Sequence, residues 1–217
     1  MEKKFILITS PPACGKTRLA KRLATTLSDT VYLDKDTLIP LSKQIFRVAG
    51  EPYNRSSDFF QKNIRDYEYE VIISLGLEAI KYSNNVIINA PFTQEVRDEK
   101  FFEDFRKRLA SYGAKLLVVW ISATPELCKF RMKKRNSDRD KWKIEHWDEY
   151  IKGVNFSVPN LSEEELFVHK NSTDEEADEH FERLVKKIKN IKYSTYRLIF
   201  KPPKAFCFWG LRFLIFN

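Results

Sequence analysis

Residues 10–17, Ser10-Pro11-Pro12-Ala13-Cys14-Gly15-Lys16-Thr17, end in a Gly-Lys-Thr triplet. These residue types at this spacing suit the binding of a phosphate chain. Gly15 has no Cβ, so its backbone can approach phosphate oxygens closely. Successive amide donors from Ala13 to Thr17, at the start of a helix, form an anion-binding concavity. Lys16 brings a point charge to the β- and γ-phosphates, and the Thr17 hydroxyl can ligate Mg2+. The first position is Ser10 where glycine is usual. Pro11 and Pro12 have no amide hydrogen, so the useful donors follow them.

Other reactive side chains fall just past apolar runs. Asp34-Lys35-Asp36 carries two carboxylates at i and i+2. One could hold Mg2+ directly or through water, and the other could accept a proton from a substrate hydroxyl. Asp36 could equally cap a helix beginning at Thr37. Asn89-Ala90-Pro91-Phe92 closes a further run. Many nucleotide hydrolases place an aspartate there for Mg2+, so the uncharged Asn89 moves the metal role toward Thr17 and Asp34 or Asp36. Thr93 is the expected cap of the helix that follows, with Arg97 in its first turn facing either crevice or solvent. Arg131, Arg135 and Arg139 recur every four residues. That spacing puts consecutive guanidinium forks near one helical face, where they suit phosphoryl oxygens. His146 and His169 read as surface or packing residues rather than bases.

The elements that must position these groups alternate. Apolar runs at Phe5–Thr9, Val31–Leu33, Val86–Asn89, Leu116–Ile121 and Leu166–His169 read as strands. Helical patterns lie between and after them, over Thr17–Leu27, Thr37–Val48, Ser57–Tyr82, Gln94–Tyr112, Pro125–Asn136, Lys143–Ile151 and Asp174–Lys189. Alternation of this kind predicts βαβ units and a parallel sheet, whose ligands bind at the carboxyl ends of the strands. Thr124-Pro125 supplies a cap followed by proline at the first helical position, and Thr173-Asp174-Glu175-Glu176 a capping box.

Composition narrows the class. The chain has 217 residues, 43% of them hydrophobic and 31% charged, which suits one α/β domain with a full core. No uncharged apolar stretch is long enough to span a bilayer or serve as a secretory signal. Cys14, Cys128 and Cys207 are odd in number and far apart, with no disulfide or metal pattern, so a reducing cytoplasm is expected. The net charge of +8 is uneven. Five cations without an acid lie from Lys192 onward, which leaves +3 for the rest. Eight more crowd between Lys129 and Lys143, against Asp138 and Asp140. Such a cluster can serve a polyphosphate or a nucleic acid, or be a solvated helix face.

With Ser10–Thr17, Asp36, Arg97 and the Arg131, Arg135 and Arg139 series in this order, the chain resembles the nucleoside-monophosphate-kinase-like group of P-loop kinases. More closely, it resembles the small AAA_33-type kinases, which are similar to polynucleotide 5′-hydroxyl kinase, zeta toxin and chloramphenicol phosphotransferase. The resemblance covers roughly residues 1–190 and implies an α/β, three-layer P-loop NTPase fold. Its five-stranded parallel sheet would be flanked by helices, within a domain of residues 1–192. It implies a small helical lid at about 129–150 and acceptor-binding helices at about 37–85. It further implies that ATP is held by Ala13, Cys14, Gly15, Lys16, Thr17, Arg18 and Arg131, and Mg2+ by Thr17 with Asp34. Asp36 would be the base for an acceptor hydroxyl and Arg97 a substrate contact. Lys16, Arg135 and Arg139 would act on the transferring phosphate. Relatives often carry arginine three positions after the aspartate, where this chain has Ile39. Tyr193–Asn217 falls outside the resemblance and reads as a basic aromatic tail, either packed, loose, or docked on a partner or membrane surface. The leading expectation is an ATP-dependent phosphotransferase acting on a hydroxyl of a small molecule. The alternative is a polynucleotide or nucleoside 5′-hydroxyl kinase, which the basic lid favours and Ile39 disfavours. A third reading, of another class, is a nucleotide-binding regulatory or toxin–antitoxin-like module with little turnover.

Overall fold

The computed structural model describes residues 3–137 and 140–191. Five parallel strands form one sheet: β1 (Lys3–Thr9), β2 (Thr30–Asp34), β3 (Asn85–Asn89), β4 (Ala114–Ser122) and β5 (Leu166–Lys170), in the order β2-β3-β1-β4-β5. All five expected strands are present. The apolar run of β1 faces both ways, because successive side chains of a strand alternate sides. Phe5 and Leu7 join Val86, Ile88, Leu116, Val118 and Trp120 beneath α4 (Asp66–Ala79) and α5 (Glu99–Ser111). Ile6 and Ile8 join Ile87, Leu117, Val119 and Ile121 on the other face. There they meet α1 (Lys16–Thr26) and α9 (Asp174–Asn190). The result is three layers with helices on both faces, as expected of strands whose apolar runs do not alternate with polar residues.

The helix α4 lies unusually close to the sheet. A Cβ at Gly76 would come within 2.6 Å of the Phe5 ring and 2.8 Å of Ile88. Glycine is therefore what lets this helix seat on β1 and β3. The long helical stretch expected over Ser57–Tyr82 begins as expected, with the Ser57 side chain accepting from the Phe60 amide at 3.2 Å. It is not uniform. α3 (Asp58–Phe60) passes through a π-helical segment, Gln61–Arg65, into α4. Phe60 at the end of α3 and Ile64 within the π-helical segment pack on Phe46 of α2 (Ile39–Ala49) in a small satellite core.

Two local expectations need correcting. The helix after β3 is not capped by Thr93. A short 3-10 turn, Glu95–Arg97, comes first, and α5 starts after Asp98, whose carboxylate accepts from the Phe101 amide at 3.0 Å. The Lys143–Ile151 stretch is broken at His146, whose φ of −111° and ψ of 43° leave the helical region, giving α7 (Lys141–Glu145) and α8 (Trp147–Lys152). Elsewhere the caps fall where the sequence puts them. Thr124 caps α6 (Pro125–Arg135), and Thr173 caps α9. Glu176 reaches back to the Ser172 amide, one residue earlier than a capping box requires. The 193–217 tail lies outside the described residues.

Candidate functional site

The strands adjoining β1 are β3 on one side and β4 on the other. The chain thus leads away from β1 in both directions, and a crevice opens at its carboxyl end. Loop 10–15 sits there, between β1 and α1. Its backbone is sharply bent. Ala13 has φ 64° and Gly15 φ 106°, both in the left-handed region. Alanine at such an angle is disfavoured by about 1–2 kcal/mol, so the rest of the fold must impose the loop's shape. Gly15 is required sterically too, because a Cβ there would stand 2.3 Å from Asn171 Nδ2.

Around the loop lies a cavity of about 290 Å³. It is lined by Ala13, Gly15, Lys16, Thr17 and Arg18 from the loop and α1, by Asp34 at the end of β2 and Asp36 just past it, and by Arg131 and Arg135 of α6. Those nine residues were singled out from the sequence, and the fold brings them together. Cys14 takes part only through its backbone, because its side chain is buried beneath the loop. Arg97 does not line this cavity. Its guanidinium donates to Thr93 O at 2.6 Å and to Ser157 O, and lies 4.9 Å from the Trp120 ring centroid. Arg139 lies outside the described residues. His146 stacks on Trp142, and His169 is buried beside His180, where burial lowers it to about 4.

Lys16 folds back on its own loop. Its Nζ donates to Pro11 O at 2.9 Å, Ser10 O at 3.0 Å and Ser10 Oγ at 3.2 Å. Burial drives its ammonium down from 10.5 to about 8, with partial relief from Cys14 and Asp36. A charge held at that cost is readily stabilised by an arriving anion.

The two acids after β2 have divided their tasks. Asp34 is the cap: its Oδ1 accepts from the Asp36 amide at 3.0 Å, starting the 3-10 turn Lys35–Leu38. Asp36 therefore does not cap the following helix, and its side chain lines the cavity instead. Asp34 Oδ2 accepts from the Tyr32 hydroxyl at 2.7 Å and from Asn89 Nδ2 at 2.9 Å. Asp34 and Asn89 are register partners on adjacent strands. The carboxylate expected at the end of β3 thus stands one strand over. Asn89 Nδ2 also donates to Thr17 Oγ1 at 3.0 Å, while its Oδ1 is buried with no hydrogen-bond partner. Thr17 Oγ1 and Asp34 Oδ2 thus converge on one amide nitrogen, and these two oxygens are of the kind a hard cation takes. Among the described residues, no group of three or more His, Cys, Asp or Glu side chains could hold a metal by itself.

Several participants escaped sequence reasoning. Lys35, between the two acids, turns inward and pairs with Glu68 of α4, both side chains only 4% exposed. Arg55 grips the same carboxylate with two hydrogen bonds of 2.8 and 2.7 Å, and Ser42 donates to it as well. Lys35 and Arg55 both reach the cavity wall. Asp140 is fully buried, pairs with Arg135, and has Lys143 at 3.8 Å. It neutralises part of the basic cluster between Lys129 and Lys143. Asn171, after β5, donates to the Cys14 carbonyl at 2.6 Å, and Arg131 donates to the same oxygen at 3.3 Å and to Asn171 O at 3.0 Å. Long-range ion pairs and side-chain-to-carbonyl bonds of this kind leave no local pattern. Only the charge of Asp140 amid bases offered a signal.

A phosphate-loop α/β protein is the class that this fold and loop define. Residues 6–156 match AAA_33, described as an AAA domain, and the chain belongs to that family. No curated protein matches the chain. Among solved structures it is similar to a candidate kinase from Chloroflexus aurantiacus, with a TM-score of 0.61 and 15% identity over 87% of this chain and 98% of that one. It is also similar to a gluconokinase from Sinorhizobium meliloti, with a TM-score of 0.51 and 14% identity over 86% and 95%. A sugar kinase from Janibacter sp. gives 0.52 and 12% over 86% and 95%. The chain has the fold of P-loop kinases. Among the described residues, no helix is long and apolar enough to cross a membrane.

Proposed function

We propose that the protein is an ATP-dependent phosphotransferase that moves the γ-phosphate to a hydroxyl of a small molecule. In this reading the amides of residues 13–18 and Lys16 hold the phosphate chain, with Arg131 on the nucleotide side. Thr17 and Asp34 would hold Mg2+, which would neutralise phosphate charge when bound. Asp36 takes the proton of the acceptor hydroxyl as the new O–P bond forms and the bond from the γ-phosphorus to the β–γ bridging oxygen breaks to release ADP, and Lys16 and Arg135 stabilise the charge that develops on the transferring oxygens. The segment carrying α6–α8 serves as the lid, with Arg139 as a further lid cation, and α2–α4 build the acceptor side. Nothing in the position of Arg97 favours a substrate contact. The small volume of the cavity supports a small acceptor, and Asp140 already satisfies part of the positive charge that a polynucleotide would need. The gluconokinase and sugar kinase with this fold are in keeping with a hydroxyl acceptor.

The observation that carries this reading is Asp36. It lines the same cavity as Lys16, and Asp34 has taken over the capping role that would otherwise explain it. The test is a panel of hydroxylated acceptors with ATP·Mg2+, followed by Asp36→Asn on the best of them. The amide keeps the shape but cannot accept the proton, so kcat should fall roughly a hundredfold or more, with ATP affinity unchanged. An Asp36→Asn protein with full turnover would remove the base from the scheme.

A further inference from the structure

Cys14 and Cys128 are 114 residues apart in the chain, yet their Sγ atoms are 3.3 Å apart. Both are free thiols and both are fully buried. One belongs to the phosphate loop, the other to α6, the helix that carries Arg131 and Arg135. A disulfide has an Sγ–Sγ distance of about 2.05 Å, so a shift of little more than an ångström would close the bond.

We propose that Cys14 and Cys128 form a redox-modification site that switches the loop between a nucleotide-binding dithiol and a disulfide that binds nucleotide poorly. The switch rests on the reading of loop 10–17 as the nucleotide site. The two thiols are not equivalent. The hydrogen bond shared with Cys128, helped by Lys16 and Arg131, lowers the Cys14 thiol from its ordinary value despite its burial. The same hydrogen bond, with burial, pushes Cys128 up. Cys14 is then the attacking thiolate and Cys128 the resolving thiol.

The co-reactant is a small peroxide. The Cys14 thiolate attacks one peroxide oxygen, and the O–O bond breaks. The departing hydroxide takes up a proton as water and leaves Cys14 as a sulfenic acid. The Cys128 sulfur then attacks the Cys14 sulfur. The S–S bond forms, the S–O bond breaks, and the second water carries away the Cys128 proton. Two thiols and one hydrogen peroxide give one disulfide and two waters. The buried thiol is not remote from the cavity, because Ala13 and Gly15 on either side of it line the wall. Bound nucleotide would cover that wall and shield the thiol behind it from peroxide.

The loop has little slack to absorb the new bond. The Cys14 carbonyl is held by Asn171 and Arg131, and both flanking residues already sit in the left-handed region. Pulling Sγ toward α6 therefore moves the amide donors, and displacements near an ångström can cost about a hundredfold in a well-aligned site.

The test uses the full chain, reduced and then exposed to hydrogen peroxide, with and without ADP·Mg2+. Peptide mass mapping follows the thiols, and a fluorescent ADP analogue reports binding. The expected result is a Cys14–Cys128 linked peptide, a dissociation constant raised at least about tenfold, recovery with dithiothreitol, and protection by ADP. Cys128→Ser should bind the analogue as the reduced protein does and keep that affinity after peroxide. If serine is poorly tolerated in this core, Cys128→Ala makes the same comparison. The proposal is overturned if Cys207 oxidises while no linked peptide forms. It is equally overturned if the linked protein binds ADP as tightly as the reduced one. A reduced protein that binds no nucleotide would instead fault the nucleotide reading, and the mass map would still decide the thiol pair.

Discussion

Replacing Glu68 by glutamine should unfold this protein far more readily than a single exposed ion pair would suggest. The carboxylate and Lys35 are each 4% exposed, and Arg55 is 15% exposed. Burial pushes Glu68 upward, yet hydrogen bonds from Arg55, Lys35 and Ser42 hold it net below its ordinary value. Glutamine keeps the shape but removes the charge and turns an NH2 donor toward groups that only donate. Two buried cations are then left uncompensated, which costs about 3–5 kcal/mol. For a chain of this size that corresponds to a fall in Tm of roughly 6–20 °C. The loss should depend on pH. Burial already lowers Lys35 from its ordinary value, with Glu68 opposing. Without Glu68 its folded-state value drops further below the unfolded one. The folded state then binds fewer protons than the unfolded chain across the alkaline range, so the variant gains stability relative to wild type as pH rises. Calorimetric unfolding of both proteins at about pH 7 and about pH 9.5 should show the gap narrowing. A loss under about 1 kcal/mol at neutral pH, or a gap that does not change with pH, would refute the cluster as a buried charge network.

Nucleotide affinity should fall above pH 8. Lys16 is held at about 8 in the folded protein, and a bound polyphosphate favours its charged form, so binding takes up a proton at higher pH. The dissociation constant should rise by up to about tenfold per pH unit there, and calorimetry in buffers of different ionisation enthalpy should show the uptake. A flat profile would contradict the parked lysine. Ala13→Gly should stabilise the fold by about 0.5–1 kcal/mol, because relief of the left-handed strain outweighs the added freedom of the unfolded chain. Gly15→Ala should do the opposite by at least about 2 kcal/mol, since its Cβ would collide with Asn171. Denaturant titration of the two variants would separate these effects, and equal stabilities would show that backbone strain does not control the loop.

What the sequence made legible was local. The apolar run of β1, the Gly-Lys-Thr turn, the Thr124 and Thr173 caps and the spacing of Arg131 and Arg135 on α6 all depend on near neighbours, and each lies where expected. The Asp34–Asp36 pair was legible as chemistry but not as roles. The choice between cap and cavity turned on a 3-10 turn that no residue announces. Asp98 took the cap assigned to Thr93 because Val96 is buried in the core and turns the chain before α5 can begin. Lys35 with Glu68 and Cys14 with Cys128 are pairings made by tertiary folding. The cysteines illustrate this best: too far apart in sequence to suggest a pattern, they are set side by side by α6 packing beneath the loop.

The grip of Asn171 and Arg131 on the Cys14 carbonyl reaches one bond further than it first seems. That oxygen and the Gly15 amide hydrogen belong to one planar trans peptide unit, so fixing one fixes the other in the opposite direction. The Gly15 N–H is therefore aimed away from the two gripping side chains before any ligand arrives. A peptide plane that cannot flip has no rotational freedom left to lose on binding. Cutting the Asn171 contact, in this light, would leave the loop's composition intact and appear first in the entropy of nucleotide binding, with the enthalpy little altered.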